Sequence, residues 1–141
     1  MHGDLRADNL LFGGPEASPS ATILDWSWAC RSLACIDLAF LIGGSEPVMQ
    51  RHGRLDKLLS AWHGSLLERG VRDYPLADAR LDLHRAALRC LTTAIAIFQF
   101  TLDPSLSVRT ALLVDQAIQR HCALMLELEA WRTLPDPIEL D

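Results

Sequence analysis

Apolar residues change their spacing near residue 45, and that change commits the chain to two unlike parts. Before it, short apolar runs are broken by Gly, Pro and Ser; after it, apolar residues recur every three or four positions, the period of an α-helix. In the first part, Leu10-Leu11-Phe12 and Thr22-Ile23-Leu24 flank GGPEASPS (13–20), whose Gly and Pro content suits a turn. The pair reads as a β-hairpin. Residues 36–42 read as a short buried helix that starts near Asp37 and stops at Gly43-Gly44. Over 47–69, Leu55, Leu58, Leu59, Trp62 and Leu66 keep helical spacing, with Gly70 as the stop. A turn through Arg72-Asp73-Tyr74-Pro75 leads into a helix over 77–102, with Leu81, His84, Leu88, Leu91, Ile95 and Phe98 on one face. Its second half, 91–100, is apolar nearly all round, which predicts the central, most buried helix. Asp103-Pro104 breaks it. A last helix over 105–132 turns Val114, Ile118, Cys122 and Met125 inward. The expected fold class is mostly α with a small β-hairpin, an α+β arrangement. One domain spans 1–134, with loops and hairpin in 1–44, a helical subdomain in 45–134, and a tail at 135–141.

A chain of 141 residues, half of them hydrophobic and 22% charged, can build one core without disulfides or metals. Its net charge of -5 argues against a nucleic-acid or anionic-membrane partner. Lys57 is the only Lys; the other basic residues are Arg. Cys30, Cys35, Cys90 and Cys122 include no CxxC pair, which speaks against a structural zinc site and for reduced thiols, three of them buried. No uninterrupted apolar run approaches the roughly 20 residues of a membrane span, and MHGDLRADN does not resemble a signal peptide. The expected location is cytoplasmic.

One constellation carries chemistry. His2-Gly3-Asp4 continues through Leu5-Arg6-Ala7-Asp8 to Asn9, an H-x-D-x-x-x-x-N string, and a strand-like run then delivers Leu24-Asp25-Trp26. Phosphoryl transfer needs a carboxylate to orient a hydroxyl and take its proton. It also needs oxygen ligands for the Mg²⁺ that bridges nucleotide phosphates. A hairpin between Asn9 and Asp25 returns the second to the first.

These residues resemble a family. HGDLRADNLLF followed by ILDW is similar to the catalytic and metal loops of the aminoglycoside phosphotransferase and choline kinase-like superfamily, distant relatives of the protein kinases. Asp37-Leu38-Ala39 matches the D-L-A that commonly follows the metal loop there. The resemblance covers 2–42 at motif level and agrees with the helical remainder in character only. It implies the C-terminal lobe of a protein-kinase-like fold, with 1–44 supplying catalytic and metal loops. Asp4 is then the catalytic base, and Asn9 and Asp25 are the Mg²⁺ ligands. His2 holds the loop against the metal segment, and Arg6 neutralises the transferred phosphate. Asp37 serves as a buried N-cap or a loop brace. The implied cofactors are Mg²⁺ and ATP or GTP, and the implied partner is a small-molecule hydroxyl acceptor, such as an antibiotic or a metabolite.

The family's other lobe carries a Gly-rich loop and a strand Lys. Neither motif occurs in these residues, so the expectation is a catalytic lobe of a longer chain, inactive alone and able to self-associate through its uncovered face. Ser27 replaces an acidic residue common after Asp-Trp, and Cys30-Arg31-Ser32 stands near where relatives often carry Gly-Asp-Pro. Both bear on loop shape and so on the acceptor. Among other residues, Trp26 and Trp28 read as packing, His52 and His63 as surface, and Asp78 and Asp82 as a solvated face. The rival functions are a non-catalytic remnant lobe acting as a binding or oligomerisation module, and an all-helical regulatory domain. The second leaves Asp4, Asn9 and Asp25 without a shared purpose.

Overall fold

A computed structural model describes residues 1–13, 21–51, 53–98 and 107–135. The described residues are mostly helical, with one two-stranded antiparallel sheet. Strands β1 (Leu10–Phe12) and β2 (Ala21–Ile23) pair with Leu10 opposite Ile23 and Phe12 opposite Ala21. The second strand lies one residue earlier than expected, because Leu24 leaves the ladder and donates its N–H to the Asn9 carbonyl at 2.9 Å. The expected turn falls at 14–20, outside the described residues. A two-stranded hairpin is marginal by itself. Here His2 bonds its far end, as described below.

Helix α1 (Cys35–Ser45) begins two residues before Asp37 and runs through Gly43-Gly44 instead of stopping there. The physical reason is packing. A Cβ on Gly43 would lie 2.5 Å from His121 Nδ1, so glycine admits the crossing helix where any side chain would collide. The single helix expected over 47–69 is two, α2 (Val48–Arg51) and α3 (Leu55–Glu68). Gly53, at φ +72, lies between them in a conformation that turns the chain. Gly70 does end α3 as its spacing predicts: at φ +92 it lets Val71 N–H reach the Leu66 carbonyl at 3.1 Å, a Schellman closure.

Helix α4 (Leu76–Phe98) packs on α1, α3 and α5 (Val108–Glu127), and is central as expected. The buried face is another one. Ala79, Leu83, Ala86, Ala87, Cys90 and Ala94 face the core, whereas Leu81, Ile95 and Phe98 are 40%, 56% and 51% exposed. The small residues let α1 and α5 approach closely, and the deeper half of the helix is its first. Residues 99–102 lie outside the description. Helix α5 starts at the Ser107 cap, whose Oγ accepts from Thr110 N–H at 3.1 Å. It ends at Glu127, short of the expected 132; Glu129 turns left-handed and a 3-10 turn, Ala130–Thr133, follows. His121 and Leu124 are its buried residues, with Val114, Ile118, Cys122 and Met125 partly covered.

Leu59, Leu83 and Leu124 are fully buried, and each contributes on the order of 1.5–3 kcal/mol from leaving water. Cys35 and Cys90 sit beside them as reduced thiols, pushed up by burial to about 11 and about 12. Cys122 is only partly buried and Cys30 is exposed. Two expectations about polar residues are corrected. His63 is buried, with Nε2 2.7 Å from the Tyr74 carbonyl, so it clamps the α3–α4 turn. Asp82 is not solvated either: it accepts the Tyr74 hydroxyl at 2.8 Å, while Asp78 is exposed. His52 lies outside the described residues. No helix among the described residues is long and apolar enough to cross a membrane.

Arg51 is buried between α1 and α5, donating to Glu127 Oε2 at 3.0 Å and to the Ile42 carbonyl at 3.4 Å. Burial, reinforced by this guanidinium, pushes His121 down to about 4. The imidazole is therefore neutral in the fold, whereas in the unfolded chain it takes a proton near pH 6.5. Stability is indifferent to this group above pH 6.5 and falls as pH drops from 6.5 toward 4. The full loss is roughly 3 kcal/mol at 1.36 kcal/mol per pH unit. Urea titrations at pH 7.5 and 4.5 check it: His121→Gln is expected to flatten the fall by that amount, and an unchanged slope refutes the linkage.

Candidate active site

The loop from His2 to Asn9, the segment after β2 and helix α1 meet here, with the loop bonded to α1 at Asp37 in its first turn and at Ser45, its last residue. The first is held by Asp37, whose carboxylate accepts His2 N–H at 2.6 Å and Gly3 N–H at 2.9 Å. Asp37 is thus a loop brace from within the first helical turn, not an N-cap; Ala34 occupies that position. The His2 ring is 3% exposed. Its Nε2 lies 2.7 Å from the Leu24 carbonyl, which requires that nitrogen to carry the proton, and Nδ1 accordingly accepts Asp4 N–H at 3.3 Å. One imidazole therefore ties the segment before Asp25 to the segment carrying Asp4. Gly3, at φ +92, has no room for a side chain: a Cβ would lie 2.5 Å from the Trp28 carbonyl.

Asp4 Oδ2 accepts from Arg6 Nε and from Asn9 Nδ2, each at 3.2 Å, and the Asp4 carbonyl accepts from the same Asn9 nitrogen at 2.9 Å. Asn9 is buried and ends a 3-10 turn, Ala7–Asn9. Both amide hydrogens being spent on Asp4, its Oδ1 is left with no hydrogen bond among the described residues. The Leu24 N–H···Asn9 carbonyl bond sets the next residue, Asp25, alongside. Asp25 takes a left-handed conformation, φ 58 and ψ 69, which Asp tolerates better than most residues. Its Oδ1 accepts the Ser27 hydroxyl at 2.6 Å and the Ser27 N–H at 3.4 Å. Those two bonds, the hydroxyl first, hold its carboxyl below the usual carboxylate range. Oδ2 accepts no hydrogen bond among the described residues.

Arg6 lies between two carboxylates, Asp4 at 3.2 Å and Asp8 at 3.1 Å. All three are solvent-accessible, and exposed pairs of this kind are worth under about 1 kcal/mol. The guanidinium is thus free to exchange partners. Trp26 and His2 pack in a T-shaped arrangement with ring centroids 4.8 Å apart, whereas Trp28 is 73% exposed and is not packing. Phe12, Leu11 and Trp26 are more than half exposed as well.

Among the described residues no three His, Cys, Asp or Glu side chains are grouped to hold a metal unaided. Mg²⁺ does not require such a group. It binds one or two carboxylates, keeps several waters and takes substrate phosphates for the rest. One ionised carboxylate oxygen and one amide oxygen, both free of other bonds, fit that hard-oxygen chemistry.

Sequence reasoning missed three supporting residues. Ser27 was legible as an Asx-turn partner two positions after Asp25. Asp8 was legible as a carboxylate two positions after Arg6. Ser45 was not: its Oγ accepts Ala7 N–H at 2.7 Å across 38 residues of sequence. In comparisons with protein-family models, curated proteins and solved structures, nothing matched this chain.

Proposed function

We propose that these residues form the catalytic lobe of a small-molecule kinase, a protein-kinase-like phosphotransferase that moves the γ-phosphate of ATP or GTP to a hydroxyl. One observation carries the reading. His2, Asp4, Asn9 and Asp37 share a continuous set of hydrogen bonds that takes in Leu24, the residue before Asp25, and leaves Asn9 Oδ1 and Asp25 Oδ2 without a hydrogen bond among the described residues. In this reading Asp4 orients the acceptor hydroxyl and takes its proton. Asn9 Oδ1 and Asp25 Oδ2 would hold Mg²⁺, which when bound would offset the negative charge of the nucleotide phosphates. Arg6 trades Asp8 for the transferred phosphate, a change that costs little because the ion pair it leaves is exposed. Incubating the protein as its natural gene encodes it with Mg-ATP or Mg-GTP and a panel of small alcohols tests the reading. Acceptor-dependent release of nucleoside diphosphate is expected, and none across the panel overturns it.

A second reading, a non-catalytic lobe that binds or oligomerises, is favoured by Leu11, Phe12, Trp26 and Trp28, all more than half exposed. Under either reading the 141 residues alone are a poor nucleotide site, since they contain no Gly-rich loop and no strand Lys to hold phosphates. Calorimetric titration of this chain with Mg-ATP is expected to give a Kd no tighter than about 1 mM, roughly 4 kcal/mol. Light scattering on the same sample is expected to show self-association. Micromolar binding by a monodisperse monomer contradicts both.

A further inference from the structure

A cleft of about 260 Å³ opens beside Gly3. Its lining joins three segments: Trp28 and Arg31 after the Asp25 turn, Phe40 on α1, and Arg89 and Thr93 on α4. Among the described residues no acidic side chain lines it. That is unusual in a chain of net charge -5, where carboxylates pair with Arg6, Arg51, Arg54, Arg80, Arg85 and Arg132. Arg31 makes no hydrogen bond or ion pair among the described residues. Arg89 donates only to hydroxyls of its own helix, Thr93 Oγ1 at 2.6 Å and Thr92 Oγ1 at 3.1 Å. Those bonds orient the guanidinium without compensating its charge.

The cleft thus combines two guanidiniums that have no carboxylate partner among the described residues with a flat indole and a phenyl ring. Guanidinium forks match the two oxygens of a carboxylate or phosphate, and aromatic faces take a planar apolar body. We propose that the cleft binds a small oxyanion carrying an aromatic ring. Only the identification of that ligand as the acceptor's recognition end rests on the phosphotransferase reading; Gly3 at the cleft and Asp4 beside it in sequence put the two within one loop. A polycationic acceptor is disfavoured there by charge.

Phenyl phosphate is the probe, titrated calorimetrically without Mg²⁺ or nucleotide. Saturable binding is expected, weakened at least about tenfold by Arg31→Gln and by Arg89→Gln, each losing a charge-assisted bond. Both arginines are exposed, so both variants are expected to melt as the parent does. Benzyl alcohol and inorganic phosphate, each holding half of the chemistry, are expected to bind at least about fivefold more weakly. No saturable binding, equal binding of either half-probe, or unchanged affinity in both arginine variants overturns the proposal. Because kinase chemistry is absent from the assay, loss of the cleft's binding leaves the phosphotransferase reading intact. Failure of acceptor-dependent turnover likewise leaves the cleft intact.

Discussion

Replacing Asp25 by Ala is expected to abolish phosphoryl transfer and Mg²⁺-dependent nucleotide binding together. Two separate losses are combined in that variant, and magnitudes separate them. The first is local. Ala has no carboxylate for Ser27, and a left-handed Ala costs on the order of 1–2 kcal/mol. That is small beside the 5–15 kcal/mol that holds an ordinary domain together. The second is the loss of an ionised oxygen ligand, for which a neighbouring Ser27 hydroxyl is no substitute. Asp25→Asn keeps the left-handed backbone and the turn but removes the charge. It should therefore melt like the parent and still fail to bind nucleotide with Mg²⁺. Retained turnover in either variant would sink the metal assignment.

Asp4→Asn should lower kcat by roughly 10²-fold or more while leaving nucleotide affinity nearly unchanged. An amide can still present an oxygen to Arg6 Nε and Asn9 Nδ2, so the loop keeps its shape. Its other atom is then an NH₂, which cannot accept the hydroxyl proton and carries no charge to orient it. Steady-state kinetics at saturating acceptor read this directly. A large loss of nucleotide affinity would instead identify Asp4 as a metal ligand, and an unchanged kcat would remove it from the chemistry.

The two residues differ in how readable their setting was. Asp4 and Asn9 stand five apart in one loop, so their hydrogen bond is a local event that spacing anticipates. Asp25 is brought in by a hairpin whose strands were legible from their apolar runs, though the second strand lies one residue earlier than its run because Leu24 bonds Asn9 outside the ladder. Ser45 and the two nitrogens that Asp37 holds were of another kind. Those bonds span 34 to 38 residues, and nothing in either partner's neighbourhood announces them.

What the residues determined unaided was local: a helical period after residue 45, the hairpin before it and the left-handed stop at Gly70. Each depends on backbone sterics or on a side chain reaching its own turn, so no distant partner is consulted. Tertiary structure alone decided the choices between locally equal alternatives. Helix α4 carries apolar residues on more than one face, and hydropathy favoured Leu81, Ile95 and Phe98. Close approach of α1 and α5 selected the alanine face instead, because helices gain more contact where side chains are short. Gly43 was a stop by propensity and became a helix interior by necessity, since His121 occupies the space its Cβ would need. Burial of Arg51 and His63 followed from the same cause: their partners, Glu127 and the Tyr74 carbonyl, reach them only when the helices have packed.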